Sequence, residues 1–265
     1  MEQLYQPRSS PIHHMDSRVR LLLALGFILS VSLAPAGALP AYVLYLSVAA
    51  AVTRAAELSY GWVLKRSLIA LPFALAAAPL VLTGPPPLEQ ITLWSGFQIA
   101  VSPAGVMRFA SIALKSWVSV QTAIVLAAAT PLNSLLAALR DLKLPALLVS
   151  VIGLMLRYLY VIGDETLRLL RARSSRSALP VGPTSRRPGG SIPWRAKQAG
   201  GMAGSLFLRS LERSERVYSA MLARGYNGTP PSITAAPLTR RQGFTLLLGF
   251  TAAGLLLLIS LLTGA

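Results

Sequence analysis

Two short arginine-centred phrases are the part of this chain best suited to a specific binding chemistry. Ala172-Arg173-Ser174 and Ala223-Arg224-Gly225 each close a run whose residues have the spacing of an amphipathic helix. The small flanking residues allow close approach to a partner, and a guanidinium can form two parallel hydrogen bonds with a carboxylate. The pattern predicts two basic helix ends that dock into acidic grooves.

A simpler alternative for these arginines is attraction to anionic lipid or nucleic acid. Such binding needs only positive charge, depends steeply on salt, and weakens evenly as any arginine is removed. A duplicated Ala-Arg-small phrase is better explained by a partner with two equivalent grooves, as a two-fold or pseudo-two-fold assembly presents. We therefore favour protein docking and predict no nucleic-acid partner.

Candidates for catalysis are few. The chain has no cysteine, its nine acidic residues form no evident catalytic pair, and no Gly-rich phosphate loop ending in Lys-Ser or Lys-Thr occurs. His13, His14 and Asp16 could bind a metal, but two adjacent histidines near a chain terminus are commonly incidental. We predict a protein that is not an enzyme and has no metal site or cofactor of its own.

The elements that position the two phrases belong to a membrane protein. Hydrophobic residues make up 54% of the chain and charged residues 13%, with a mean hydropathy of +0.58, which does not suit a solvated surface. We predict an all-α polytopic membrane protein with about five transmembrane helices and a cytoplasmic domain of amphipathic helices. The predicted spans are residues 19–33, 39–52, 63–82, 105–129 and 244–262.

Prolines and glycines set several of these boundaries. Residues 21–53 contain no charge and are too long for one ordinary span, so Pro35, Gly37 and Pro40 favour two spans over a single tilted helix. Pro72 and Pro79 predict kinks in the third span. Residues 83–103 are rich in Pro and Gly, carry no Lys or Arg, and suit a loop on the outer face.

Three amphipathic helices are predicted after residue 130. Residues 131–142 form a short interfacial helix, residues 145–173 a long helix, and residues 192–224 another with a break near Gly200-Gly201. Glu212 and Arg216 are spaced to pair along the helix. Gly225 and Gly228 can cap its end. Five charged residues fall close to one face of the long helix: Arg157, Asp164, Glu165, Arg168 and Arg171.

The charge distribution favours a long helix that lies against the membrane domain over one that crosses the lipid. If residues 145–162 do not cross, every Lys and Arg of the 25 except Arg108 and Lys115 lies on the inner side. If they cross, the most basic loop faces outward. The N-terminus and the arginine phrases are therefore predicted to be cytoplasmic.

The predicted domains are residues 1–129, with four spans, residues 130–242, the cytoplasmic coupling domain, and residues 243–265, the last span. Lys115 falls inside the fourth span and is a candidate functional residue there. Snorkelling or a hydrogen bond to a neighbouring helix is the favoured alternative.

The chain resembles the transmembrane T component of energy-coupling-factor transporters, in particular the cobalt-type branch, over nearly its whole length. Beside the two arginine phrases, the stretches that carry the resemblance are residues 156–165 (LRYLYVIGDE), 209–226 (RSLERSERVYSAMLARGY) and 10–20 (SPIHHMDSRVR). One departure is that the first phrase has Ser174 where the family pattern has glycine. Its helix is therefore predicted to end less abruptly.

The resemblance implies a subunit of a bacterial inner-membrane importer for cobalt or nickel. Two ATPase subunits bind the ATP and receive the coupling helices, with Arg173 and Arg224 as anchors. A separate membrane subunit captures the metal ion and is reoriented by the transmitted motion. The alternative is a basic membrane-anchored scaffold that binds anionic lipid or nucleic acid without transport.

Overall fold

Helices dominate the computed structural model, which describes residues 5–82, 89–92, 98–176, 192–227 and 238–264. The all-α membrane fold is confirmed. A hairpin that was not predicted lies within the predicted outer loop: strands β1 (Glu89–Thr92) and β2 (Gln98–Val101) pair antiparallel, with Glu89 opposite Val101. This hairpin precedes the fourth predicted span.

Contacts divide the chain into two compact units. The first contains Met1–Leu142 and Ala235–Ala265, and the second contains Lys143–Thr234. The predicted domains instead separate membrane-embedded residues from cytoplasmic ones. Contacts within the chain do not test that division, so the predicted domains stay predictions. The helices of the first unit are α1 (Pro11–His14), α2 (Ser17–Leu33), α3 (Leu39–Ala55), α4 (Tyr60–Ser67), α5 (Leu71–Ala76), α6 (Pro79–Leu82), α7 (Pro103–Ala129), α8 (Leu132–Asp141) and α11 (Arg240–Thr263).

The third predicted span is broken instead of kinked. Helix α4 runs into a short 3-10 turn at Leu68–Ala70, after which α5 and α6 follow as separate pieces. Pro72 lies in the first turn of α5, and Pro79 is the first residue of α6. Since proline lacks the amide hydrogen of a continuing helix but suits a first turn, both prolines restart the helix.

Asp16 is the N-cap residue of helix α2 and pairs with Arg18 in its first turn. The Asp16 carboxylate accepts from the Arg18 main-chain amide at 2.9 Å and from the Arg18 side chain at 3.0 Å. Burial raises the pKa of Asp16, but these bonds outweigh it and hold the pKa below its usual value. Because Arg18 Nε also lies 3.6 Å from Asp141 of α8, helix α8 is fastened to the start of α2.

The core of the first unit is built around α2, α3, α7 and α11. Val118 and Val125 of α7 belong to two separate buried clusters, one with α2 and α3 and one with the α3–α4 connection. The Ser30 hydroxyl lies 2.6 Å from the Tyr45 hydroxyl and donates to the Ala253 carbonyl at 2.8 Å. These bonds join α2, α3 and α11 through buried polar groups that have partners.

Within the described residues, three helices are long and apolar enough to cross a membrane: α7, α11 and α9 (Ala146–Arg176) of the second unit. The length and composition of α9 permit crossing, so its predicted position outside the lipid stays a prediction that rests on charge. Lys115 of α7 donates to the Ser32 carbonyl of α2 at 3.0 Å. The favoured alternative for this lysine, a bond to a neighbouring helix, is confirmed.

The polar N-terminal segment also has defined partners. The two ring nitrogens of His13 lie 2.7 Å from the Ser10 hydroxyl and 3.1 Å from the Gln6 carbonyl. Ser10 also caps α1, because its side chain accepts from the His13 amide. His13 thus holds the turn before α2 in place.

Candidate coupling surface

The two arginine phrases lie in the second unit, which consists of α9 and α10 (Ile192–Ala223). The Glu165 carboxylate of α9 joins the helices, since it accepts from Arg209 and Arg213 of α10, each at 3.2 Å. These arginines are four residues apart and so lie on one face of α10. Farther along α9, Arg173 meets the beginning of α10, so the helices run antiparallel.

Sequence spacing alone did not identify the role of Glu165. It was predicted only as a member of the charged face of α9, whereas the structure makes it the acceptor of two arginines from another helix. The hydrogen bond from Arg209 and the positive charges of both arginines hold the pKa of Glu165 below its usual value. A folded-state pKa that is lowered means that these pairs persist at neutral pH and are lost as the pH falls through that lowered pKa.

Replacing Glu165 with glutamine is expected to loosen the α9–α10 pair. Because the chain has no cysteine, spin labels at Leu167→Cys and Leu208→Cys, both exposed positions, can report the distance between the helices. We expect a broader distance distribution in Glu165→Gln at neutral pH. The unsubstituted chain should broaden only on acidification, through the lowered pKa of Glu165.

The matched control for this substitution is Glu212→Gln. Glu212 pairs with Arg216 of the same helix at 3.8 Å, which confirms the predicted pairing, and both side chains are exposed. Losing this pair removes no link between α9 and α10. Equal broadening in the two variants would contradict a bridging role for Glu165.

The first phrase lies inside α9 and not at its end. The helix continues to Arg176, and the Ser174 hydroxyl donates to the Arg171 carbonyl at 2.7 Å. Serine can make such a bond to the preceding turn within a helix, whereas a glycine would favour termination. The helix therefore extends beyond its predicted end at Arg173. How abruptly it ends stays a prediction, because residues 177–191 lie outside the described part of the chain.

Trp194 in the first turn of α10 is a contact that sequence reasoning missed. The Arg173 guanidinium carbon lies 5.8 Å from the centre of the indole ring, within the range of a cation–π interaction. Arg173 is partly covered, whereas Ala172 and Ser174 beside it are exposed. No periodic pattern could have found Trp194, because only the return of α10 along α9 brings it to Arg173.

The second phrase forms the end of α10. Ala223 is the last helical residue, and Gly225 has a φ of +79°, a conformation that suits glycine. The Gly225 amide donates to Leu222 at 2.9 Å and the Tyr226 amide to Met221 at 3.0 Å, the pair of bonds found in a Schellman cap. The prediction for Gly225 is confirmed, and Gly228 lies outside the described residues.

Helix α10 keeps the two phrases apart. It is continuous from Ile192 to Ala223, so the predicted break at Gly200-Gly201 is wrong. Each glycine in a helix lowers the stability of the helix by only about 1 kcal/mol relative to alanine. A break would require a second helix nucleation, which is less favourable than two glycines within a long helix. From Trp194, beside Arg173, to Ala223 the helix spans about 44 Å at a rise of about 1.5 Å per residue. The two arginines therefore form two sites and not one.

Most of the chain matches a known protein family. The family described as cobalt transport protein matches residues 8–235. The chain belongs to that family. It is 30% identical to the energy-coupling factor transporter transmembrane protein EcfT of Lactobacillus helveticus, over 85% of this chain and 80% of the relative. It is 28% identical to the cobalt transport protein CbiQ of Rhodobacter capsulatus, over 60% of this chain and 63% of the relative.

A shorter match links the chain to the nickel permease LarQ of Lactiplantibacillus plantarum, at 32% identity over 37% of this chain and 32% of the relative. The predicted resemblance to the transmembrane T component of energy-coupling-factor transporters is confirmed. The protein is a membrane component of a transporter. Both arginine phrases lie inside the part of the chain that the family matches.

The second unit of this family member exposes its apolar side chains. No described residue of α9 or α10 is buried. A pair of helices surrounded only by water rarely leaves so much apolar surface uncovered. The apolar face predicted for α10 accordingly remains available for lipid or protein, and its exposed members include Phe207, Leu211, Tyr218 and Leu222.

Proposed function

We propose that this chain is the coupling subunit of an ATP-driven importer for cobalt or nickel. It docks two ATPase subunits through Ala172-Arg173-Ser174 and Ala223-Arg224-Gly225 and passes their motion to a separate membrane subunit that captures the metal ion. The observation that carries the proposal is the family match over residues 8–235, which includes both phrases. Relatives named for cobalt and for nickel support these two metals as cargo.

The geometry of the second unit supports a two-site coupler. A continuous α10 connects Trp194, which contacts Arg173 of α9, with Ala223, which directly precedes Arg224, so that movement at one end is transmitted to the other. Trp194 holds Arg173, and the Gly225 cap fixes the main chain at Arg224. Side chains held in place before binding lose less conformational entropy when a partner carboxylate arrives.

This chain is proposed to hydrolyse nothing itself. ATP is bound by the two partner subunits, and no cofactor belongs to this chain. The lipid bilayer surrounds the first unit, and nucleic acid is not a partner. The competing function, a basic scaffold for anionic lipid or nucleic acid, predicts equal losses for any arginine removed and a steep dependence on salt.

Metal uptake tests the function. The chain is co-expressed with its neighbouring genes in a host that lacks its own importers, and accumulation of radioactive cobalt or nickel is measured. We expect ATP-dependent uptake that requires this chain, both ATPase subunits and the metal-capturing subunit. Unchanged uptake when this chain is omitted would refute the proposal.

The proposed orientation places the N-terminus and residues 130–242 in the cytoplasm of a bacterial cell and the membrane-spanning part in its inner membrane. A reporter fused at Gly182 is expected to be active in the cytoplasm, because residues 145–162 do not cross. An external reporter would make α9 a transmembrane helix and put the basic loop outside, against the positive-inside rule.

A further inference from the structure

A cavity inside the first unit combines an apolar lining with one arginine side chain. It has a volume of about 380 Å³ and lies between α2, α3, α7 and α11. Its lining is apolar except for Thr122 and Arg20. A pocket of this size, at the small end of the range for ligand sites, with a single charged group suits an amphiphilic ligand.

Arg20 is only partly satisfied within the protein. One terminal nitrogen donates to the Ala129 carbonyl of α7 and the other lies 3.5 Å from the Ser17 hydroxyl. Its Nε is buried and has no hydrogen-bond partner. In the described part of the chain Arg20 forms no ion pair, and the nearby Asp16 is engaged by Arg18.

Each terminal nitrogen of the Arg20 guanidinium carries two N–H groups, and each makes one contact with a protein oxygen. Donors therefore remain for a phosphate oxygen, which forms strong charge-assisted hydrogen bonds with arginine. Among the described residues that line the cavity, Arg20 is the only charged one. An apolar ligand would leave its positive charge without a partner.

The cavity opens on the side of α3 and α11. Two of its lining residues, Val52 of α3 and Leu248 of α11, are 41% and 57% exposed. Further cations lie near these segments along the chain, with Arg54 two residues after Val52 and Arg240 at the start of α11. In the orientation proposed above, this end faces the cytoplasmic leaflet, where anionic lipids lie.

We propose that this cavity binds an anionic phospholipid, with an acyl chain between α2, α3, α7 and α11 and the phosphate on Arg20. Inorganic phosphate would not require the apolar walls, and a zwitterionic headgroup would bring an ammonium group towards unpaired arginine. The bound lipid fills the space between the helices that carry the core of the first unit. The proposal does not depend on metal transport or on docking of ATPases.

Native mass spectrometry of the full chain, purified with its co-expressed subunits and stripped of lipid, tests the site. Phosphatidylglycerol, phosphatidylethanolamine and oleate with matched acyl chains are titrated separately. We expect one tight phosphatidylglycerol site, and Arg20→Gln should weaken it by about tenfold, since hydrogen bonds to charged groups contribute roughly that much. Arg240→Gln, which removes a cation outside the cavity, should leave the site unchanged.

A second variant keeps Arg20 and its bond to α7. Ala252→Leu fills the cavity from α11, because Ala252 is one of its lining residues, and should also abolish the tight site. Gly254→Leu, which adds bulk to α11 where the surroundings are open, is the control. Equal affinity for the two phospholipids, or tight binding retained in both Arg20→Gln and Ala252→Leu, would overturn the proposal. Oleate that competes at the same site with higher affinity would replace the phospholipid with a fatty acid.

Discussion

Replacing Arg173 and Arg224 together with glutamate is expected to abolish co-purification of the ATPase subunits while the chain remains in the membrane. Each substitution removes a guanidinium and sets a carboxylate against the partner carboxylate that it is proposed to bind. Loss of one partner of a buried charge pair typically costs about 2 to 5 kcal/mol, and like charges add repulsion. The measurement is affinity purification of the complex from membranes, with the ATPase subunits quantified.

A matched control separates docking from general charge. Arg168→Glu with Arg216→Glu makes the same change of net charge on the same two helices, at exposed positions. We expect this pair of substitutions to leave most of the complex intact, since exposed ion pairs contribute little. Equal loss in both double variants would favour the lipid or nucleic-acid scaffold, and full retention in the Arg173 and Arg224 variant would refute the docking assignment.

Among the described glycines of the first unit, Gly105 is expected to be the one whose substitution with alanine destabilises the protein most. A Cβ at this position would lie 2.3 Å from the Leu80 carbonyl oxygen and 3.2 Å from the Val81 Cα. Both are main-chain atoms, so no side-chain rotation can relieve the overlap. We expect the Tm of the purified protein to fall by roughly 5 °C or more, because overpacking of a tight core costs about 1 to 3 kcal/mol and occasionally more.

The control for this substitution lies in another helix. Gly254 of α11 has open space where its Cβ would be, so Gly254→Ala should keep or slightly raise the Tm, as alanine favours helix over glycine. The tight approach at Gly105 joins α6 to α7, and the Ser102 hydroxyl caps α7 by accepting from the Gly105 amide at 3.2 Å. A Tm for Gly105→Ala equal to that of Gly254→Ala would contradict the close contact.

Patterns confined to one helix could be predicted from the sequence. The short helix α8, the pairing of Glu212 with Arg216 and the cap at Gly225 all follow from local spacing or from the conformational preference of one residue. The passage of α9 through Ser174 agrees with the expected difference between serine and glycine at that position, although the helix extends beyond its predicted end at Arg173. Each of these features involves residues within a few positions of one another.

Features that depend on distant residues could not be predicted. The two arginines that meet Glu165 lie more than forty residues away, and nothing in the spacing of α9 selects them. Arg173 and Arg224 were proposed as coupling residues because their phrase is repeated, whereas Trp194, which contacts Arg173, has no repeat to mark it. Arg20 counted only as an inner-side cation until the fold placed it in the wall of a cavity.

Helix-breaking residues were the least predictable because their effect depends on context. Pro72 and Pro79 divided the third span into separate pieces, but the two glycines at 200–201 did not interrupt α10. Proline removes a donor and cannot be accommodated without a new start, whereas glycine only lowers helix propensity. A long helix whose flanking residues have high helix propensity therefore continues through glycines that would end a shorter helix.

The unbroken α10 has a consequence for how the proposed complex assembles. The proposed binding points lie beside its two ends, Arg173 against Trp194 and Arg224 directly after Ala223, and the helix between Trp194 and Ala223 is about 44 Å long. They act as a bivalent ligand of fixed span, so the second contact forms at a high effective concentration once the first is made. This gain in affinity is lost when the separation of the two ATPase grooves does not match the separation of the two binding points. An ATPase pair whose groove separation changes during its cycle would then hold this subunit with an avidity that rises and falls with each turnover.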